Sequence, residues 1–178
     1  MFYFGSNTKR DLSIASHNAV ATAALRLATE FKDAQMVSRA YLGYDAISSN
    51  NLQGSDCNGH GTHVAGIIGG KTVGVAKEAA LVSVRVFDCS GSSSTSTIIS
   101  GIDWIVANRK LPAVANLSLG GGISLALDMA IQRLVDSGVV AVVAAGNDGK
   151  DACSYSPARA VNAITVGATE ATDSRASY

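Results

Sequence analysis

Apolar residues in this chain fall into short blocks divided by glycine- and serine-rich breaks. Val139-Val140-Ala141-Val142-Val143-Ala144-Ala145 has no polar position, which predicts a strand buried on both faces of a parallel sheet. Ala79 to Asp88, by its β-branched content, and Pro112 to Gly120, a strand that runs into a glycine turn, predict two more strands, and Val161 to Ala168 predicts the last. Between these runs the period changes. Thr95 to Asn108 puts Ile98, Ile99, Ile102, Ile105 and Val106 on one side of a helix, with hydroxyl residues ahead of it that can cap it. Ser124 to Ser137 reads as an amphipathic helix through Leu125, Leu127, Met129, Ala130, Leu134 and Val135, ended by Gly138. Strands alternating with helices predict an α/β domain of three layers: a mostly parallel sheet with helices on both faces.

The front of the chain is less legible. Residues 1–16 carry no usable period. His17 to Leu25 is small and apolar and reads as helix when taken alone. Residues 38–56 are polar and turn-rich and predict a surface loop, in which Asp56 reads as a solvated carboxylate.

Composition narrows the classes. A chain of 178 residues is enough for one domain with a sizeable core. Hydrophobic residues at 47% against charged residues at 16% suit a sheet covered by helices. Lys plus Arg and Asp plus Glu are both 14, so no basic surplus points to nucleic acid or to a membrane surface. No apolar window reaches the roughly 18 residues of a membrane span, and Met1 to Ser6 does not read as a signal peptide. Cys57, Cys89 and Cys153 make an odd count, so one thiol is unpaired or has its partner elsewhere; three reduced thiols are the alternative.

The candidate chemistry centres on Asn58-Gly59-His60-Gly61-Thr62-His63-Val64-Ala65-Gly66. Two glycines leave the backbone beside His60 uncrowded. The apolar run from Val64 predicts a packed helix with His60 at its exposed mouth, a good mounting for a general base. Asn147 lies in Gly146-Asn147-Asp148-Gly149, after the most apolar strand. There it is either a turn residue or a donor aimed into the crevice at the carboxyl end of a parallel strand. A zinc site on His60 and His63 lacks a third ligand, and no Gly-x-Gly-x-x-Gly follows a strand.

The histidine stretch resembles the active-site histidine segment of the subtilisin-like serine proteases, or subtilases, and looks closest to their proteinase K branch. Companions follow in the family's order: Gly74-Val75-Ala76, Val84-Arg85-Val86-Phe87-Asp88, Asn116-Leu117-Ser118-Leu119-Gly120-Gly121-Gly122, Ala144-Ala145-Gly146-Asn147 and Tyr155-Ser156-Pro157-Ala158. The resemblance runs from about Ala21 to Tyr178 and leaves residues 1–20 unassigned.

What the resemblance implies is a serine endopeptidase. His60 would be its general base and Asn147 its oxyanion donor. An extended peptide would lie between two edges, Ser90-Gly91-Ser92 and Ser118-Leu119-Gly120, with Ala144, Ala145 and Gly146 lining the specificity pocket. Ser93 stands where the family often has glycine and would narrow the outer subsites. The branch implies a Cys57–Cys89 disulfide and a partner for Cys153 past Tyr178. It also implies a secreted monomer acting on peptide or protein, with no cofactor for catalysis. Structural calcium is left open, with Asp56 a carboxylate of the right kind.

The chain departs from the family in two places. Counting back from Phe31 puts Ala21-Thr22-Ala23 where Asp-Thr-Gly belongs. The nucleophile segment, Gly-Thr-Ser-Met-Ala, does not occur among these residues. Asp11, Asp33 and Asp45 are nearby carboxylates, but none sits in an Asp-Thr-Gly turn. The expectation is a partial peptidase domain, inactive as this stretch stands, with apolar surface exposed and marginal stability. The alternative is a degenerate relative that only binds peptides.

Overall fold

The computed structural model of the chain describes residues 1–5, 39–47 and 56–178. Their centre is a six-stranded sheet in the order β2-β3-β1-β4-β5-β6. The strands are β1 (Phe2–Gly5), β2 (Ala40–Asp45), β3 (Ala80–Arg85), β4 (Ala113–Leu117), β5 (Val139–Ala144) and β6 (Ile164–Val166). Three helices accompany them among the described residues: α1 (His60–Gly69), α2 (Thr95–Asn108) and α3 (Leu125–Asp136). β2–β3, β4–β5 and β5–β6 pair in parallel, while β1 runs antiparallel to both its neighbours.

The helices on one face form where the period predicts them, and the reasons are local. Ser94 caps α2 by accepting from the Thr97 amide, and Ser124 caps α3 by accepting from the Leu127 amide. Gly138 follows α3 with φ 90°, a conformation open to glycine but strained for other residues. Ile102, Ile105, Ile131 and Leu134 are fully buried between these helices and Val84, Ala115, Leu117 and Val139 of the sheet. Gly101 permits the contact, because a Cβ there would come within 2.5 Å of Val86 Cγ1. Truncating Ile131 to alanine is expected to cost about 2–5 kcal/mol in chemical denaturation. A loss below about 1 kcal/mol would show that Ile131 is not part of the packed core.

Helix α1 lies on the opposite face. A Cβ on its Gly69 would meet Leu81 Cδ1 at 3.2 Å, whereas Val82, Val84 and Val86 pack into the α2–α3 core. Strands β2 to β6 follow chain order across the sheet. The β2–α1–β3 crossover therefore has the opposite hand to β3–α2–β4, against the usual uniformity of such units. The three predicted layers are present, with the helices unevenly shared between the faces.

Three expectations need correction. Residues 1–16 gave no period, yet Phe2–Gly5 is the strand that closes the sheet between β3 and β4. Four residues are too few for an alternation to register, and pairing with both neighbours is what makes them a strand. Residues 38–56 do not form a loop throughout, because Ala40–Asp45 is the edge strand β2. Its register shifts between Leu42 and Tyr44, and Tyr41 and Leu42 are both 44% exposed, which blurs the alternation. Gly43 sits at the shift, where a Cβ would lie 2.6 Å from Val82 Cγ1, and Tyr44 stacks on Trp104 at 5.9 Å. Finally, β5 is not buried on both faces. Val139, Ala141 and Val143 are buried, but Val140 and the neighbouring Ile164 are each 40% exposed. Among the described residues, α1 covers β3 and leaves that part of the sheet open.

Candidate active site

The register brings the predicted site residues to one edge of the sheet. Phe2 pairs with both Ser83 and Asn116, so β3 and β4 are level there, and Leu117 pairs with Val143 of β5. The carboxyl ends of β3, β4 and β5 thus lie at one edge of the sheet, with the start of β1 between β3 and β4. The segments leaving them, Asp88–Ser92, Ser118–Gly120 and Ala145–Asn147, lie at that edge, the end at which ligands bind in open α/β sheets. His60, the first residue of α1, reaches the same edge, where the main chain of Ser118 is near enough to favour its charged form. The general-base candidate and the second predicted peptide edge are neighbours.

The mounting of His60 is built by Asp56. Gly59 occupies the N-cap in a left-handed conformation, φ 93°, and offers no side chain to the helix. Asp56 supplies the cap. Its Oδ1 accepts from the amides of Asn58 (2.9 Å) and Gly59 (2.8 Å), and its Oδ2 from the amide (3.2 Å) and hydroxyl (2.6 Å) of Thr62. A carboxylate at this point also meets the positive end of the helix dipole. Asp56 is therefore no solvated loop residue, as the polar run around it suggested. Gly61, Val64 and Ala65 anchor the helix in the interior, and His63 is exposed. Partial burial lowers the pKa of His60 below the ordinary imidazole value, against the hydrogen bond to Ser118 and the charge of Asp56, which raise it.

The carboxylate expected behind the imidazole falls at Ala21, and Asp11 and Asp33 are its neighbours in sequence; all three lie outside the described residues. Asp45 is described and belongs elsewhere. It forms a buried ion pair with Arg85 at 3.0 Å and accepts from the Ile47 amide at 2.8 Å.

Cys57 and Cys89 form the expected disulfide, with Arg85 Nη2 3.4 Å from Cys57 Sγ. Cys153 carries an exposed free thiol. Reducing the bridge, or replacing both cysteines with alanine, is expected to lower stability by about 3–4 kcal/mol if loop entropy governs the effect. Denaturation midpoints with and without reductant check this; equal midpoints would show that the bridge contributes nothing.

The segment expected as the first peptide edge, Ser90-Gly91-Ser92, is a turn and not an extended strand. The amides of Ser90 and Ser92 both donate to Asp88 Oδ1 at 2.9 Å, joined by the Ser90 hydroxyl at 2.6 Å, and the Gly91 amide donates to the Asp88 carbonyl at 3.2 Å. These bonds, the Ser90 hydroxyl first, hold the Asp88 carboxyl below its usual pKa. Sequence reasoning passed over Asp88; the available signal was an aspartate two residues before a serine, the pattern of an Asx turn. Ser93, expected to narrow the outer subsites, turns its hydroxyl back onto the Val86 carbonyl.

In the second edge, Leu119 is only 8% exposed, and its amide donates to the Leu117 carbonyl at 2.8 Å. Its side chain belongs to the core, while Ser118 and Gly120 on either side are more open. The edge is tied down by Gly121, which exchanges main-chain bonds with buried Ser156 at 3.0 and 3.2 Å, and by the Ser156 hydroxyl, which accepts from the Ser124 amide at 2.9 Å. Ser156 was legible only as part of a motif, because its partners are about 30 residues away in sequence.

Ala144 and Ala145 are half-buried, and Gly146 is exposed with φ 108°. The Ala145 amide is held by the Val166 carbonyl at 2.9 Å. Asn147 follows on an exposed turn, three residues past the end of β5.

Comparison with known proteins agrees with this layout. A model of the subtilase family matches residues 12–178. The chain is 58% identical over 144 residues to an extracellular serine proteinase of Thermus sp. (strain Rt41A), covering 81% of this chain and 35% of that protein. It is 58% identical over 140 residues to alkaline serine exoprotease A of Vibrio alginolyticus, covering 79% and 26% respectively. The crystal structure of a cold adapted subtilisin-like serine proteinase superposes with a TM-score of 0.82 at 46% identity, over 96% of this chain and 64% of that one. The chain spans about a third of the length of the curated relatives it matches. With its motifs in order along one sheet edge and a family match over nearly its whole length, the chain belongs to the subtilase family.

Proposed function

We propose that these residues form the part of a secreted serine endopeptidase that carries its general base and its oxyanion donor. The observation that carries this reading is the meeting of the family's motifs at one sheet edge, with His60 at the mouth of α1. It puts an imidazole beside the segment expected to hold a peptide. In this reading a serine hydroxyl from sequence outside these 178 residues attacks the scissile carbonyl, and His60 takes its proton. Asn147 donates its side-chain amide hydrogen to the oxygen that gains charge. His60 then returns the proton to the leaving amine, and a water repeats the sequence to release the acyl group. The small residues Ala144, Ala145 and Gly146 favour an apolar side chain before the cut bond. Extracellular relatives and the Cys57–Cys89 bridge support secretion, and Cys153 pairs with a cysteine beyond Tyr178. The enzyme acts as a monomer on peptide or protein. Each oxygen of Asp56 already accepts two hydrogen bonds, so it fits a structural calcium poorly, and no step depends on one.

A second reading, a non-catalytic relative that binds peptides, is favoured by Ala21 at the position where the family carries its aspartate. The test uses the intact gene product with a short ester and an extended peptide anilide. Hydrolysis of both supports the endopeptidase. Saturable peptide binding without hydrolysis supports the second reading, and neither binding nor hydrolysis sinks both.

The imidazole must be neutral to accept a proton, and partial burial lowers its pKa from the ordinary imidazole value. The acid limb of kcat/KM is therefore expected below that ordinary value, with the rate falling as pH drops through it. A limb centred above that value would separate His60 from the proton transfer.

A further inference from the structure

Two four-residue stretches of the chain are alike. Asp56-Cys57-Asn58-Gly59 leads into His60, and Asp88-Cys89-Ser90-Gly91 leads into Ser92. In each, the aspartate Oδ1 accepts from the amide two residues on, at 2.9 Å in both. In each the glycine is left-handed, φ 93° and 82°. The two cysteines are bonded to each other with their Cα atoms 4.9 Å apart. Asn58 adds a second tie: its Nδ2 donates to the Cys89 carbonyl at 3.2 Å, and its Oδ1 accepts from the His60 amide at 3.3 Å. The turns lie side by side: a Cβ on Gly91 would reach Asn58 Nδ2 at an ordinary contact distance of 3.4 Å, and it is the left-handed backbone that calls for glycine there.

We propose that the paired turns act as one unit that sets the separation of the general base from the first peptide edge, with Asp56 and Asp88 as its positioning residues. Asp56 holds the start of α1, and so His60, through four bonds. Asp88 holds Ser90 to Ser92 through three bonds to one oxygen. All are charge-assisted bonds from main-chain or hydroxyl donors, the stronger kind, and they converge from groups that otherwise have no fixed direction. The proposal rests on the roles given above to His60 and to Ser90–Ser92. An asparagine at either position keeps the shape and removes the charge; at Asp56 it also turns a donor toward donors, while at Asp88 the remaining oxygen accepts the same three bonds without the charge that strengthens them.

The test compares Asp56→Asn and Asp88→Asn in the intact gene product on the two substrates named above. Asp56→Asn is expected to lower kcat about tenfold or more on both the short ester and the extended peptide, because it misplaces the base. Asp88→Asn is expected to raise KM about tenfold on the extended peptide alone, because the ester does not reach that edge. Equal changes in both constants on both substrates, or no change at all, would overturn the proposal. If Asp56→Asn does not fold, Asp56→Ser, which keeps one acceptor at the cap, replaces it.

A second measurement separates this proposal from the endopeptidase reading. In intact protein labelled at histidine and serine nitrogens, Asp56→Asn should shift the ring nitrogen signals of His60, and Asp88→Asn should leave them in place while moving the amide signals of Ser90 and Ser92. A wild-type protein that cleaves neither substrate defeats the endopeptidase reading. The proposal then stands or falls on these signals, and His60 ring signals unmoved by Asp56→Asn would defeat it.

Discussion

His60→Ala in the intact protein is expected to lower kcat for peptide hydrolysis by at least about 10²-fold, and the size of the loss reports whether a carboxylate stands behind the imidazole. In a subtilisin, a member of the same family, losing the histidine costs about 2 × 10⁶ in turnover and losing the aspartate alone about 3 × 10⁴. These losses overlap because the groups act as a unit. Where no carboxylate orients the imidazole, most of the histidine's effect has already gone, and the remaining loss is about the ratio of the two figures. A drop of about 10²-fold therefore means that Ala21 stands in the aspartate's place with nothing substituting for it. A drop near 10⁶-fold means that another carboxylate has taken over. KM should change little, since His60 touches the transferred proton and not the distant parts of the substrate. A loss under about fivefold would remove His60 from the chemistry.

Asn147→Ala is expected to lower kcat by about 10²–10³ with KM nearly unchanged, a size taken from the corresponding donor in a subtilisin. The donor is worth more to the transition state than to the ground state, because the oxygen it faces gains charge only during attack. Its exposed place on the turn after β5, with Gly146 at φ 108°, leaves the side chain able to face the crevice. Steady-state kinetics with the peptide anilide give both constants. If KM rises instead while kcat holds, Asn147 is a binding-turn residue and the oxyanion is stabilised by other donors.

How legible the fold was depended on how local its causes are. Helices α2 and α3 were readable almost to the residue, because a 3.6-residue period and a serine cap, and for α3 a closing glycine, sit in or beside the segment they describe. β1 and β2 were not. A four-residue strand and an exposed edge strand with a register shift carry too little pattern, and their strand state comes from the partners on either side. β5 misled in a different way. Its run of valine and alanine shows what the strand tolerates, but not whether anything covers its second face. Within the candidate site, residue type and neighbours made His60 and Asn147 candidates. Asp88 could not be picked out, and Asp56 was misread, because a carboxylate's role depends on which amides converge on it.

The sequence by itself determined the alternation of strands and helices, the two capped helices on one face, the histidine at a helix mouth and the family to which these motifs belong. Each of these follows from residues close together in the chain. Only the tertiary structure decided that α1 crosses to the other face and that a strand at the very front closes the sheet. It also decided that His60 reaches the edge where Ser118 lies and that two Asp-Cys-x-Gly turns meet across their disulfide. Those contacts join residues 32 to 114 positions apart. No local period or propensity carries information about them; they are set by strand register and by the packing that leaves the fewest polar groups unpaired.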